Sequence, residues 1–435
     1  MARIGKLALA IILLAACQVG CGRPDPARVR AGMAKGWEYY DKGDYRTAAQ
    51  EFSAVIELDP NSVDAYCGRG MACGANEQLD DAIRDLDRAI ELEPKYAAAY
   101  AGRGAAYLGK KEYDKALADL DRAIELDAHQ AIAHYNRGMA YSAKKDWDRA
   151  ILGFDWVIDH DPRDVSAYGG RGGAYLAKKE YDKAIADFSR AIQLDQNDAT
   201  AYYNRGGAYL GKDQFDKAIA DYSRAIDLNP KDADAYVGRG GAYRGKKEYD
   251  KAIGDLDRAI ELDANHGNAY FNRAGAYYGK KEYDKAIADY SWAIELNPKD
   301  ADAYVGRGAV YHEKKEYERE SADFNKALEI DANNAPACAG LAWLWATCPV
   351  ARFRNGPKAV EYASKVVDLE EDPDPLDTLA AACAEVGEFD KAVALQEKAL
   401  AHPDFLKRAL EQDKDLQKAR LRLKLYRERK AYRDE

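Results

Sequence analysis

A block of 34 residues returns along this chain, and that period limits the possible folds more than any other feature. The stretch Ala97-Ala-Ala-Tyr-Ala-Gly-Arg-Gly-Ala-Ala-Tyr107 reappears in recognisable form from Val165, Ala199, Ala233 and Ala301. Blocks this short cannot each close a globular core, so each must bury its apolar face against its neighbours. Numbered from the first residue of each block (29, 63, 97 and onward to 301), Tyr, Gly and Tyr recur at slots four, eight and eleven, as in Tyr168, Gly172 and Tyr175. That spacing of three to four residues predicts one face of a helix, helix A. After Lys178-Lys179-Glu180 the same spacing resumes through Tyr181, Ala184, Phe188 and Ala191, which predicts a second helix, helix B. Pro60, Pro94, Pro162, Pro230 and Pro298 stand at slot 32, where each stops helix B before the next helix A begins. Nine blocks tile residues 29–334 and predict an all-α stack of helical hairpins.

With Gly at slot eight, Tyr at eleven, Ala at twenty, an aromatic residue or Leu at twenty-four, Ala at twenty-seven and Pro at thirty-two, the block resembles the tetratricopeptide repeat. The resemblance implies an α-solenoid, a right-handed superhelix of about eleven repeats. It also implies that helix A lines the concave side, that slots two, five, six, nine, twelve and thirteen face inward, and that the partner is a protein or peptide. The paired Lys and Asn of the family's C-terminal carboxylate clamp are absent. The first block is degenerate in helix A and the ninth carries Glu320 where Ala is expected; both lie at array ends, where caps are atypical. Residues 335–403 read as two divergent repeats, the tenth holding an irregular loop at 346–358 with Pro349, Gly356 and Pro357. Residues 404–435 form a charged amphipathic capping helix and tail, with Leu406, Leu410, Leu416, Leu421 and Leu425 on its apolar side. Its basic end, Lys418 to Arg433, is alternatively a contact for acidic lipid or a partner.

Arg3 and Lys6 precede an apolar run of 11 residues, Leu7 to Cys17. The run is shorter than the ~18–20 residues that span a bilayer and reads as an export signal. Leu14-Ala15-Ala16-Cys17 resembles a bacterial lipobox, which implies that residues 1–16 are a signal peptide and that Cys17 is acylated. The protein would then be an exported lipoprotein, anchored in a membrane through its N-terminal lipid and facing the periplasm or cell envelope. Cys21 is the second candidate; an ordinary signal peptide cut near Gly20, or an uncleaved anchor, are the alternatives. Residues 17–28, with Gly20, Gly22, Pro24 and Pro26, read as a tether.

The formal charge, 65 − 75 = −10, disfavours a nucleic-acid partner, because neutralising phosphates requires a basic face. Gly104 to Lys110, Gly206 to Lys212 and Gly240 to Lys246 match G-x-x-x-x-G-K, yet Lys111, Asp213 and Lys247 follow where a nucleotide loop needs Ser or Thr. No nucleotide is expected. The 6 His and 7 Cys show no metal-ligand spacing, and no Ser can be matched with His and Asp on one surface, so no metal, cofactor or catalysis is expected either.

Arg fills slot seven in eight consecutive blocks, from Arg69 to Arg307. Asp lies sixteen residues later in seven of them, giving pairs such as Arg103 and Asp119, Arg171 and Asp187, Arg205 and Asp221, and Arg239 and Asp255. This predicts structural bridges between helices A and B. Gly153 breaks the pattern and leaves Arg137 as the Arg expected to reach something else. A second pattern has a period of 68: Tyr135-Asn136, Tyr203-Asn204 and Phe271-Asn272 alternate with Gly102, Gly170, Gly238 and Gly306 at slot six. It is similar to the asparagine ladders of some repeat proteins, in which side-chain amides bind the backbone of an extended peptide; an amide offers both a donor and an acceptor. The alternative is that these Asn satisfy helix ends, with Tyr packing beside them. The sequence thus reads as a membrane-anchored scaffold binding extended polypeptides along the helix A face, or alternatively as an adaptor or regulator of a cell-wall or secretion enzyme.

Overall fold

The computed structural model describes residues 25–369, 374–402 and 413–434. Cys17, Cys21, the signal segment, Leu406 and Leu410 lie outside the described residues. Among the described residues every regular element is helical. The chain is an α-solenoid of helix-turn-helix repeats, divided into two compact units that meet between Gln214 and Phe215.

The fifth repeat shows why the hairpin forms. Asp164 caps helix A (Val165–Ala177) by accepting the backbone N–H of Ala167 at 2.8 Å. At its end the N–H of Lys179 reaches Leu176 O and that of Glu180 reaches Tyr175 O, both at 2.9 Å, closing a Schellman-type turn. Lys179 takes φ 59° in that turn, a left-handed conformation that costs a residue with a side chain about 1–2 kcal/mol. The cost recurs at Lys111, Lys145, Lys247, Lys281 and Lys315, so packing must hold the turns. Helix B (Tyr181–Leu194) buries Ala184, Asp187, Phe188, Ala191 and Ile192. Phe188 is fully buried, contributing roughly 2–3 kcal/mol by area.

Neighbouring repeats join in the same way each time. Within each unit successive A helices touch one another and successive B helices pack less closely, which puts the A helices on the inner row. At the hairpin turns Lys178 of the fifth repeat reaches Asp148 of the fourth at 2.6 Å, and Lys110–Asp80 and Lys280–Asp250 repeat that contact at 2.6 Å. The carboxylates are largely exposed, so these pairs set register more than stability.

The N-terminal end differs from the sequence expectation. The first helix starts at Pro26 and runs to Asp41, capped by Asp25, so Pro26 opens the helix and does not extend a tether. Proline suits the first helical turn because its missing N–H has no partner to lose there. Beyond the tenth repeat (Ala335–Thr347 and Gly356–Leu369, with a 3-10 turn at Ala351–Phe353) and the eleventh (Asp374–Glu385 and Phe389–Ala401), a final helix spans Asp413–Arg427. One of its basic residues is turned into the protein, Arg422, which grips Asp377 at 2.7 Å; Arg427 reaches Glu397 at 2.7 Å but stays exposed, as do Lys418, Arg420 and Lys424.

Candidate functional site

The arginine series is spent inside the stack. Arg103 donates Nε and one terminal nitrogen to Asp119, both at 2.7 Å, and Arg239 meets Asp255 in the same fork at 2.7 Å. Arg171 and Asp187 pair at 2.8 and 2.7 Å. The remaining guanidinium nitrogen reaches back to slot 25 of the preceding repeat, an acceptor that the sixteen-residue spacing within a repeat does not reveal. Arg103 takes Asp87 and Arg171 takes Asp155, each at 2.5 Å, while Arg239 takes Ser223 at 3.0 Å. Each Arg therefore ties its own helix B to that of its neighbour, and hydrogen bonding to Asp119 raises the pKa of Arg103 further. Arg205 likewise donates to Ser189 at 3.0 Å within the first unit; Asp221 belongs to the second unit, where it is buried.

Arg137 is held differently. It reaches Asp121 of the preceding repeat at 3.1 Å, not a partner outside the stack. Its own carboxylate is missing for a steric reason. A Cβ on Gly153 would lie 2.8 Å from His134 O and 2.9 Å from Gly138 N, so the two helices of this repeat approach too closely for any side chain there. The same repeat stacks His134 on Trp156 and Trp156 on His160, at 3.8 Å each. It also exposes Ile132 and Met139 on helix A and Leu152 on helix B.

The slot-six glycines of the inner row are packing positions. Tyr135 sets its ring against the edge of Phe154 at 5.6 Å, and a Cβ on Gly170 of the next repeat would sit 2.6 Å from the same Phe154 ring. Phe271, Tyr290 and Gly306 repeat the arrangement, with 5.6 Å between rings and 2.5 Å to the Cβ position. Slot thirteen is also closed: Cβ positions on Gly211 and Gly279 fall 2.5 and 2.4 Å from the rings of Tyr181 and Tyr249 in the preceding repeats. Those glycines are contact points between repeats, not open floor.

Slots five and nine remain open in places. Nothing lies within 4 Å of a Cβ built on Gly169 or Gly173. Tyr203, like Tyr135 and Phe271, is half-buried. The amides of Asn136 and Asn204, half-buried on either side of that gap in the first unit, have no protein partner among the described residues. Asn272, in the second unit, differs: its amide donates to the Asn268 carbonyl of its own helix at 2.8 Å.

Profiles described as TPR repeat match residues 36–76, 108–145, 172–213 and 275–315, and profiles described as tetratricopeptide repeat match residues 63–96, 199–232, 248–291 and 301–334. The chain belongs to the tetratricopeptide repeat family. No curated protein sequence matches it. Among solved structures it is similar to the Cut9–Hcn1 hetero-tetramer of APC/C, with a TM-score of 0.50 at 15% identity over 83% of this chain and 79% of that one. It is also similar to yeast Tom70 (0.49, 15%, covering 92% and 97%). A third likeness is to YrrB, described as a TPR protein with an unusual peptide-binding site (0.34, 25%, covering 42% and 95%). The tetratricopeptide repeats and this fold support a protein–protein interaction scaffold. The three G-x-x-x-x-G-K stretches fall on or at the ends of A helices of these repeats. No group of three or more His, Cys, Asp or Glu is placed to hold a metal among the described residues, and Cys67, Cys73, Cys338, Cys348 and Cys383 are buried free thiols.

In the second unit the last tetratricopeptide repeats hold a contact that sequence reasoning missed. His312 lies between Glu320, with Nδ1 to Oε1 3.0 Å, and Asp434, with Nε2 to Oδ2 3.4 Å. Hydrogen bonding to Asp434 and then Glu320 raises the His312 pKa from 6.5 to about 10, and the same bond holds Asp434 below the usual carboxylate range. A raised histidine stabilises the fold fully below its unfolded pKa, near 6.5, and loses that contribution as pH rises through about 10. The depressed carboxylate contributes above roughly pH 4 and loses its part as pH falls. Burial raises the pKa of the Glu320 carboxyl, which works against its half of the contact, so the expectation rests on Asp434: the contact is expected to persist across neutral pH, with His312 an imidazolium at pH near 8. Imidazole NMR chemical shifts check this; a neutral ring at that pH would contradict it.

Proposed function

We infer that this chain is a non-catalytic scaffold whose A helices receive extended polypeptide segments. The observation that carries the reading is the unpartnered pair Asn136 and Asn204, set on either side of the open positions Gly169 and Gly173 on one helix row. An amide can give and accept one hydrogen bond each along a bound backbone, whatever its side chains. With helices ~8–10 Å apart, rungs two repeats apart stand roughly 20 Å from each other, about six residues of extended chain. Ile132, Tyr135 and Met139 add apolar and aromatic surface beside the first rung. Acylation of Cys17 would hold the scaffold on a membrane facing the periplasm or cell envelope, where it gathers exported proteins. Several acyl chains at ~0.8 kcal/mol per buried CH₂ suffice for lasting attachment.

Replacing Asn136, Asn204 and Asn272 together by Ala is expected to abolish recovery of partners from a membrane extract while leaving the melting transition in place. Unchanged recovery would remove the amides from the binding account. Recovery of one dominant enzyme would favour the adaptor reading.

A further inference from the structure

Departures from the repeat pattern gather at one place in the second unit. His312 stands at slot twelve of the ninth repeat, and Glu320 at slot twenty, where the eight repeats before it have Ala. Trp343 and Thr347 stand at slots nine and thirteen of the tenth, where most of the array is Gly or Ala. His312 and Trp343, with the main-chain carbonyl of Thr347, meet the irregular segment Lys430–Asp434, which follows the last helix, and Glu320 backs His312.

The segment is held as a bound peptide would be. The Asp434 N–H donates to the Thr347 carbonyl at 3.0 Å, and the Trp343 indole N–H donates to Asp434 Oδ2 at 2.9 Å. His312 faces the same oxygen, backed by Glu320, which is 1% exposed and keeps its second oxygen buried without a partner. Two residues earlier, Tyr432 is buried in the apolar cluster that includes Ala342 and Ala346, its ring centroid 6.2 Å from that of Trp343. Between them Arg433 reaches Glu385 at 2.7 Å and donates to the Ala346 carbonyl at 3.3 Å. Main-chain bonds with side chains sent alternately into different pockets are the way an extended segment is read. The positions reading it, slots nine, twelve and thirteen, belong to the inner helix A row.

The geometry points to a recognition seat in the ninth and tenth repeats for an extended segment carrying an aromatic ring two residues before a carboxylate side chain. The chain's own Tyr432–Asp434 is its resident occupant, and a partner segment of the same chemistry exchanges with it. The inference stands apart from the asparagine rungs, because the seat uses other residues and its test uses its own peptide.

The test takes the full chain carrying Tyr432→Ala and Asp434→Asn, which empties the seat without shortening the protein, and a fluorescein-labelled peptide of residues 429–435. Anisotropy is expected to show saturable binding to this variant and about tenfold or weaker binding to the unaltered chain, where the resident competes. The peptide with Asp434→Asn is expected to bind the emptied chain about tenfold more weakly, since the charge-assisted bonds are gone. No binding to an emptied chain of native helical content, or equal affinity for both chains, would overturn the proposal. Hydrogen exchange of the unaltered chain supplies a second arm should the variant unfold. The Asp434 amide is expected to exchange far faster than helix Ala335–Thr347, and exchange only with global unfolding would make the segment a permanent cap.

Discussion

Gly153→Ala is expected to destabilise the first unit by about 2–3 kcal/mol, although alanine is the better helix former by ~1 kcal/mol. The added methyl would stand 2.8 Å from His134 O, 2.9 Å from Gly138 N and 3.0 Å from Gly138 Cα. All three are backbone atoms, so no rotamer change relieves the contact and two helices must separate. Gly173→Ala, one repeat later, meets nothing within 4 Å and is expected to stabilise by about 1 kcal/mol through propensity alone. Denaturant midpoints of the two variants should therefore move in opposite directions. Two shifts of the same sign would mean that the helices of the fourth repeat are not as close as described.

The second large effect concerns the arginine stitches. Arg171→Ala removes a fork to Asp187 and a contact to Asp155, and leaves a carboxylate with 8% side-chain exposure uncompensated. Breaking a buried pair costs about 3–5 kcal/mol; with Arg171 itself 20% exposed, solvent screening brings the expectation to about 2–3 kcal/mol. Arg137→Ala, which removes one 3.1 Å contact to a carboxylate that is 49% exposed, is expected to cost under about 1 kcal/mol. Arg171→Lys should recover only a small part of the loss, because an ammonium cannot fill both acceptors of the fork. Urea unfolding of the three variants checks this, and equal losses for Arg171→Ala and Arg137→Ala would show that the stitches carry no differential load.

The hairpins were legible because their determinants are local. A cap such as Asp164, a turn such as Lys178-Lys179-Glu180 and apolar residues at helical spacing lie within one block, and the period repeats them. The pairing of Arg171 with Asp187 could be read for the same reason, both residues lying in one repeat. Its second acceptor, Asp155, belongs to the repeat before, and nothing in a single block marks it. Gly153 was readable as a missing Asp but not as a close helix approach, because the approach depends on Gly138 in the partner helix. The 68-residue alternation was visible, but the packing of Phe154 between Tyr135 and Gly170 was not, because it spans two repeats. The seat for Tyr432–Asp434 was the least legible: His312 and Asp434 are 122 residues apart, and no period relates them. Glu320 was the one local sign, a carboxylate at a slot otherwise held by Ala.

Site-specific photo-crosslinking in the fifth repeat tests the central claim most directly. A benzophenone side chain placed at position 173, on the open inner row, is compared with one at position 186, exposed on helix B of the same repeat. If the A helices receive an extended polypeptide, mass spectrometry should find adducts from position 173 that converge on one extended segment of a partner, and few from position 186. Adducts from position 186 alone would place the partner on the outer surface and contradict the account.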